Sequence, residues 1–289
     1  MHVTGFTFIR NAVRFDYPIV EAITSILPIC DDFVVAVGNS EDETLELIKA
    51  IDSPKIRIIE TVWDESLREG GRVLAVETDK AFQAINDQSD WCFYIQGDEV
   101  VHEKYHDIVY AEMIKWKDTP EVDGLLFNYK HFYGSYDYVA VSSGWYKNEI
   151  RIIRNNKKIY SFRDAQGFRK DNDKMLKVKH IDAFIYHYGW VKPPQNMQLK
   201  QKSFQKLWHN DDWIEKNISK TDAFDYTGID SLTLFNETHP AIMKARIDRL
   251  NWSFSHDITR NKVTMKEILK ALVKEYLGID FSYKNYIKI

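Results

Sequence analysis

The sequence is short of cysteine, of net charge and of long apolar runs, and each shortage closes off a class of protein. Cys30 and Cys92 are the two cysteines, each inside an apolar stretch. That suits buried free thiols in a reducing compartment and argues against a disulfide framework. A formal net charge of -4 over 289 residues leaves no positive excess for blanket phosphate neutralisation, so no nucleic-acid partner is expected. No run approaches the roughly 20 apolar residues that span a bilayer. The opening Met1-His2-Val3-Thr4-Gly5 lacks the basic-then-apolar pattern of a secretory signal, and a soluble, cytoplasmic protein is expected. Repeats, low-complexity tracts and flexible linkers are missing too. What remains is ordinary globular material, 44% hydrophobic and 28% charged, long enough to bury a core unaided.

The first hundred residues alternate strand and helix. Val3 to Ile9, Ile56 to Ile59 and Trp91 to Ile95 read as short strands, and Phe33 to Val37 is a continuous apolar run, the mark of a strand buried on both faces. Between them lie helical patterns. Asp16 caps the first, with Pro18 in its first turn and Ile19, Val20, Ile23, Ile26 and Leu27 as its stripe. Ser40-Glu41-Asp42-Glu43 reads as a capping box opening the second, with Leu45, Ile48 and Ile51 on one side. The third runs from Arg72 to Ile85. This order predicts a parallel α/β sheet with right-handed crossovers. Such a sheet binds ligands at the carboxyl ends of its strands. That rule selects Arg10-Asn11, Gly38 to Asp42, the loop from Trp63 to Arg72, and Gln96 to Glu99.

After Glu99 the pattern changes. A helix from Lys104 to Lys115 precedes aromatic strands near Gly124–Tyr129, Glu149–Ile153 and Lys177–His187, read as antiparallel strands covering a cleft. Beyond Pro193-Pro194, a strong breaker, helices are predicted at Asn196–Trp208, Pro240–Leu250 and Thr264–Leu277.

The sharpest local feature is Trp91-Cys92-Phe93-Tyr94-Ile95-Gln96-Gly97-Asp98-Glu99. A buried strand ending in two carboxylates puts negative charge at the mouth of the sheet. Those carboxylates either hold a divalent cation that neutralises a pyrophosphate or cap the helix that follows. Arg68 and Arg72 flank Gly70-Gly71 at a helix N-terminus, where a planar guanidinium fork could meet phosphate oxygens. A solvated turn is the alternative.

Thr7-Phe8-Ile9-Arg10-Asn11, then Phe33 to Val37 with Gly38-Asn39-Ser40-Glu41-Asp42-Glu43-Thr44, then Trp91 to Glu99 together resemble the nucleotide-sugar half of the GT-A glycosyltransferases of the inverting family 2 type. The resemblance covers residues 3 to 103 and extends to about Pro194. It implies a Rossmann-like mixed α/β sheet flanked by helices. Residues 1–194 would form the glycosyltransferase domain, with 1–103 as its nucleotide-sugar half and 104–194 as its acceptor half. Residues 195–289 would add a mainly helical C-terminal extension. The implied activity is inverting transfer of a sugar from a nucleotide-sugar donor to a glycan, glycolipid or protein acceptor, assisted by Mn2+ or Mg2+. A nucleotidyltransferase and a sugar-nucleotide-binding protein without turnover are the alternatives.

The same resemblance assigns roles. Asp98 and His187 would hold the metal, although His187 between Tyr186 and Tyr188 also suits ordinary packing. Arg10, Asn11, Gly38, Asp42, Arg68, Arg72 and Gln96 would surround the donor. Gln96 and Val37-Gly38 depart from the family, which places Asp at both points, and Asp42 could serve only as a cap. An inverting transfer needs a carboxylate base for the acceptor hydroxyl. Asp164 is the first candidate; Asp182 competes with it, as does Glu149, whose pairing with Arg151 or Arg154 is the structural alternative. Aromatics make up 14% of the chain and suit both core packing and stacking on sugar faces. For Phe204, Trp208, Trp213 and Trp252, packing on the first domain, a homodimer contact and an acceptor platform are the options. The lysines of Lys262–Lys274 form either a solvated face or a peripheral membrane contact.

Overall fold

The computed structural model describes residues 1–217, 221–229, 231–261 and 284–289, with 269, 273 and 276 between them. Its first half is the expected alternation. Strands β1 (Val3–Ile9), β2 (Asp32–Gly38), β3 (Ile56–Thr61) and β4 (Trp91–Tyr94) are linked by helices α1 (Ile19–Ile26), α2 (Thr44–Lys49) and α3 (Arg72–Gln83). β1 lies centrally and pairs in parallel with both β2 and β4, and β2 pairs in parallel with β3. The period of two sorts side chains to opposite faces. Phe33, Val35 and Val37 of β2 pack with Ile19, Ile23 and Ile26 of α1, whereas Val34 and Ala36 meet Val73, Leu74 and Phe82 of α3. Cys30 and Cys92 fall on different sides of this sheet and are buried free thiols.

The chain then builds β5 (Glu99–Val101), α4 (His106–Trp116), β6 (Gly124–Tyr133), β7 (Tyr138–Ala140), β8 (Asn148–Arg154), β9 (Ile159–Phe162), β10 (Gly167–Lys170), β11 (Lys174–Met175) and β12 (Lys177–Trp190). β8 runs antiparallel between β4 and β6, so the sheet continues past its parallel half. The fold is thus a Rossmann-like mixed α/β sheet flanked by helices, in the order β7-β6-β8-β4-β1-β2-β3, with β12 alongside β6. The expectation that the late strands are all antiparallel is corrected, because β12 pairs with β6 in parallel. Aromatic runs alone carry no directional signal.

The C-terminal part adds α5 (Pro194–Gln205), α6 (Asp211–Asn217), β13 (Leu232–Leu234), α7 (Lys244–Asp248) and β14 (Ile287–Lys288). Its described residues include two short strands as well as helices. β13 extends the main sheet through β7, and β14 pairs with β12. The Pro240–Leu250 helix shrinks to a 3-10 turn and the five residues of α7. The helix predicted over Thr264–Leu277 and the lysines of 262–274 lie largely outside the described residues. No helix among the described residues is long and apolar enough to cross a membrane.

Two expected caps are also corrected. Asp16 makes no cap bond to α1, and its carboxylate accepts from Arg246 of α7 instead. In the Ser40–Glu43 turn it is Asp42 that caps α2, accepting from the Thr44 backbone N–H at 3.1 Å.

Candidate functional site

A cleft of about 1060 Å³ opens at the carboxyl ends of β1 to β4, roofed by α5. Gln96-Gly97-Asp98 forms its floor because the β4 strand ends there and turns back, Glu99 N–H donating to the Gln96 carbonyl at 3.1 Å. The two carboxylates of this turn point different ways. Glu99 is fully buried; Arg151 grips it through two N–H···O bonds of 2.7 and 2.8 Å, and the Tyr129 hydroxyl donates at 2.7 Å. Asp98 faces the cleft. Lys200 of α5 donates to its Oδ2 at 3.1 Å and to the Gly189 carbonyl at 3.0 Å. Burial alone would raise the Asp98 carboxyl, but the Lys200 charge, with smaller help from His187 and Lys192, outweighs it and holds the group well below the carboxylate range.

His187 lies on β12 with Nε2 3.8 Å from Asp98 Oδ1. Its Nδ1 meets His131 Nδ1 at 3.0 Å, and His131 Nε2 meets the Tyr146 carbonyl at 2.7 Å. Burial is the main reason both rings are hard to protonate, His187 down to about 4 and His131 to about 3. Gly189 passes close by: a Cβ there would sit 2.6 Å from His187 Nε2 and 2.7 Å from Asp98 Oδ2. Any other residue would fill the gap between the carboxylate and the imidazole.

That gap is a fair test of whether a divalent cation suits these residues. An imidazole nitrogen and a carboxylate oxygen face each other across 3.8 Å, a span that ligand bonds of about 2.1 Å can bridge. The donor pair fits Mn2+ or Mg2+ with its remaining positions open to ligand oxygens or water. It is a sparse site, since no cluster of three or more His, Cys, Asp or Glu exists among the described residues.

The other predicted residues divide. Arg10, Asn11, Gln96 and Asp164 line the cleft beside Asp98 and His187. Asn11 adopts a positive φ of 54° and its Oδ1 accepts from the Glu41 N–H at 2.8 Å, which ties the β1 turn to the β2 turn. Gln96 Nε2 donates to the Ala165 carbonyl at 3.2 Å. Gly38, Asp42 and Arg72 are not among the residues that line the cleft. Gly38 makes room for Trp63, whose Nε1 a Cβ would approach to 2.4 Å. Asp42 is occupied as a cap, and Arg72 points to solvent at the start of α3. Arg68 does reach the cleft wall, but its guanidinium is spent on the Lys206 and His209 carbonyls and on Asp211, each at 2.8 Å. It latches the segment after α5 to the β3–α3 loop.

Sequence reading overlooked Lys200 and His131, named Trp63 only as the start of a ligand-edge loop, and left Glu149 as a competitor to Asp164. Lys200 had a signal: it shares the buried face of α5 with Met197, at a spacing of three. Glu149 is 4% exposed with Oε2 unbonded, since Arg151 is taken by Glu99 and Arg154 by backbone carbonyls. Burial, against the pull of Arg151, lifts its carboxyl to about 8. Asp164 sits on the β9–β10 turn, its carboxyl also raised by burial. Of the C-terminal aromatics, Trp208 packs on Gly71 and Trp252 donates to the Gly134 carbonyl at 2.8 Å.

No family model matches the chain, and no curated protein matches it in sequence. Solved structures do resemble it at low identity. S. aureus TarS 1-349 in complex with UDP aligns with a TM-score of 0.40 at 12% identity, over 77% of this chain and 68% of that one. Glucosyl-3-phosphoglycerate synthase from Mycobacterium tuberculosis, in complex with Mn2+, UDP and phosphoglyceric acid, aligns at 0.30 and 18%, over 46% of this chain and 43% of that one. 4-Diphosphocytidyl-2C-methyl-D-erythritol synthase from Anaerococcus prevotii DSM 20548 aligns at 0.38 and 12%, over 66% and 89%. Likenesses this distant assign no residue a role.

Proposed function

We propose that this chain transfers a sugar from a nucleoside diphosphate sugar to a hydroxyl acceptor, with inversion, in the cleft at the carboxyl edge of its sheet. One observation carries the reading: a single cleft is lined by Arg10, Arg14, Lys200 and Trp63 together with the carboxyls of Asp98, Glu149 and Asp164. Trp63 offers a ring face for a nucleobase, and Arg10 lies 5.6 Å from that ring while lining the same cleft. Arg14, paired with Glu41, and Lys200, paired with Asp98, line the same cleft and would meet a diphosphate there. Asp98 and His187 would hold Mn2+ or Mg2+, which when bound supplies Lewis-acid neutralisation of the leaving diphosphate. Lys200 balances the second oxygen of Asp98.

In the same cleft Asp164 accepts the proton of the acceptor hydroxyl as its oxygen bonds to the anomeric carbon. The bond from that carbon to the diphosphate breaks, the diphosphate leaves with the electron pair, and the configuration inverts. Burial raises both carboxyls, that of Glu149 to about 8, and Asp164 is taken as the base. Tyr146 and Trp190 offer ring faces to a glycan or glycolipid acceptor. A nucleotidyltransferase is the weaker reading, because the β1 turn, Arg10-Asn11-Ala12-Val13-Arg14, has no glycine-rich loop for a triphosphate.

The test is release of nucleoside diphosphate from a panel of nucleotide-sugars, with mixed glycan and glycolipid acceptors, followed for the wild type and for Asp164→Asn. Transfer should fall by about 100-fold or more in the variant, the scale of a lost general base, with donor binding unchanged. Wild-type transfer by Asp164→Asn removes Asp164 as the base. Donor binding with no release under any condition makes the chain a binding protein.

A further inference from the structure

We infer that His131 sets the tautomer of His187 and thereby aims an unprotonated imidazole nitrogen at Asp98. The inference rests on the reading that Asp98 and His187 hold a divalent cation, and it extends that reading by assigning the proton at each of four ring nitrogens.

The fold brings the rings together through strand register. β6 and β12 run in parallel with His131 directly opposite His187, on the face that also carries Tyr129, whose ring stacks on His131 at 5.4 Å. His131 is 3% exposed. Its Nε2 is 2.7 Å from the Tyr146 carbonyl oxygen, which can only accept, so this nitrogen carries a proton. The two Nδ1 atoms are 3.0 Å apart and can share one proton between them. Were that proton on His131, the ring would be a buried imidazolium bonded to a carbonyl and an imidazole, with no carboxylate in hydrogen-bond contact, which is a costly arrangement. His131 is therefore neutral and accepts at Nδ1, and His187 donates from its own Nδ1.

A neutral His187 that spends its proton on His131 has a bare Nε2. That lone pair faces Asp98 Oδ1 at 3.8 Å, beyond hydrogen-bond reach. The chain of bonds from the Tyr146 carbonyl through His131 to His187 thus orients a ligand and fixes its tautomer. His131 is a positioning residue: it touches neither the cation nor the donor.

Long-range 1H–15N correlation spectra of the full chain, with 15N-labelled histidine, read the tautomer directly. The His187 signals are identified by comparison with His187→Gln. At neutral pH His187 should carry its proton on Nδ1 and His131 on Nε2. His131→Phe should release His187 to the Nε2–H form, whereas His131→Asn, whose side-chain oxygen can accept the same proton, should retain Nδ1–H. In a parallel titration with Mn2+ alone, followed by electron paramagnetic resonance, His131→Phe should weaken binding by roughly 10- to 100-fold, with His131→Asn closer to wild type. A wild-type His187 protonated at Nε2 overturns the inference without needing any variant to fold. An unchanged tautomer in His131→Phe overturns it as well. The expected tautomers without Mn2+ binding by the wild type would sustain the proton assignment and bring down the cation reading beneath it.

Discussion

On one side of the β4 turn, Glu99 is sealed against Arg151, Tyr129 and the Gln96 backbone, with every strong acceptor site met by protein. On the other side Asp98 shares its carboxylate between Lys200 and an open gap before His187. The two residues are adjacent, both acidic and both nearly buried. The fold has made one a brace across β5, β6 and β8 and left the other with unspent valence at a cleft. A buried ion pair completed inside the protein stabilises little net but is ruinous to break, whereas one left incomplete is available to a ligand.

The largest effect should come from breaking the brace. Arg151→Met leaves Glu99 charged, buried and unpaired, which costs about 3–5 kcal/mol, read as a lowered urea midpoint. A loss under about 1 kcal/mol would mean water reaches Glu99 and that the two carboxylates are alike after all. The same chemical operation on the cleft side should divide differently. Lys200→Met should cost less in stability because Asp98 opens onto the cleft, yet weaken nucleoside diphosphate binding by roughly 10-fold, the scale of one charge-assisted hydrogen bond. Calorimetric titration checks the second part, and unchanged affinity would reduce Lys200 to a packing residue.

The smallest effect sharpens the comparison at Glu149, a third carboxyl of the cleft. The carboxyl of Glu149 rises from 4.5 to about 8, so the native state keeps a proton that the unfolded chain releases above its ordinary pKa. Stability is therefore fully present below about pH 4.5 and is lost as pH rises towards 8. Glu149→Gln has no proton to lose. Its stability should fall less steeply than wild type between pH 5 and 8, by at most about 1.4 kcal/mol per pH unit. Parallel slopes in urea denaturation would mean that Glu149 is ionised in the native state.

The parallel half of the fold was legible because β1, β2 and β4 carry short β-rich or apolar runs and α1 and α3 carry clear stripes. The rule that ligands gather at strand ends then pointed to Arg10, Asn11 and Gln96–Asp98 without further help. What sequence could not convey was the direction of a side chain at a turn. Asp98 and Glu99 read alike, and so did Arg68 and Arg72, although one latches α5 to a loop and the other faces solvent. Gly38 drew attention as a missing Asp, when its use is to admit Trp63. The β6–β12 register that joins His131 to His187 spans more than fifty residues, and no local pattern announces it. β13 and β14 are three and two residues long, too short for alternation to register.

The account stands or falls on a nucleotide-sugar site at Asp98. Its most direct test is the melting temperature of the wild type and of Asp98→Asn with UDP, GDP, CDP and ADP and their sugars, each with Mn2+. A ligand at about 100 times its Kd adds about 2.7 kcal/mol to the native state, enough to raise the melting temperature of a chain this size by several degrees. One nucleotide should do so in the wild type and fail to do so in Asp98→Asn. No shift with any of them, or an equal shift in the variant, would contradict the account.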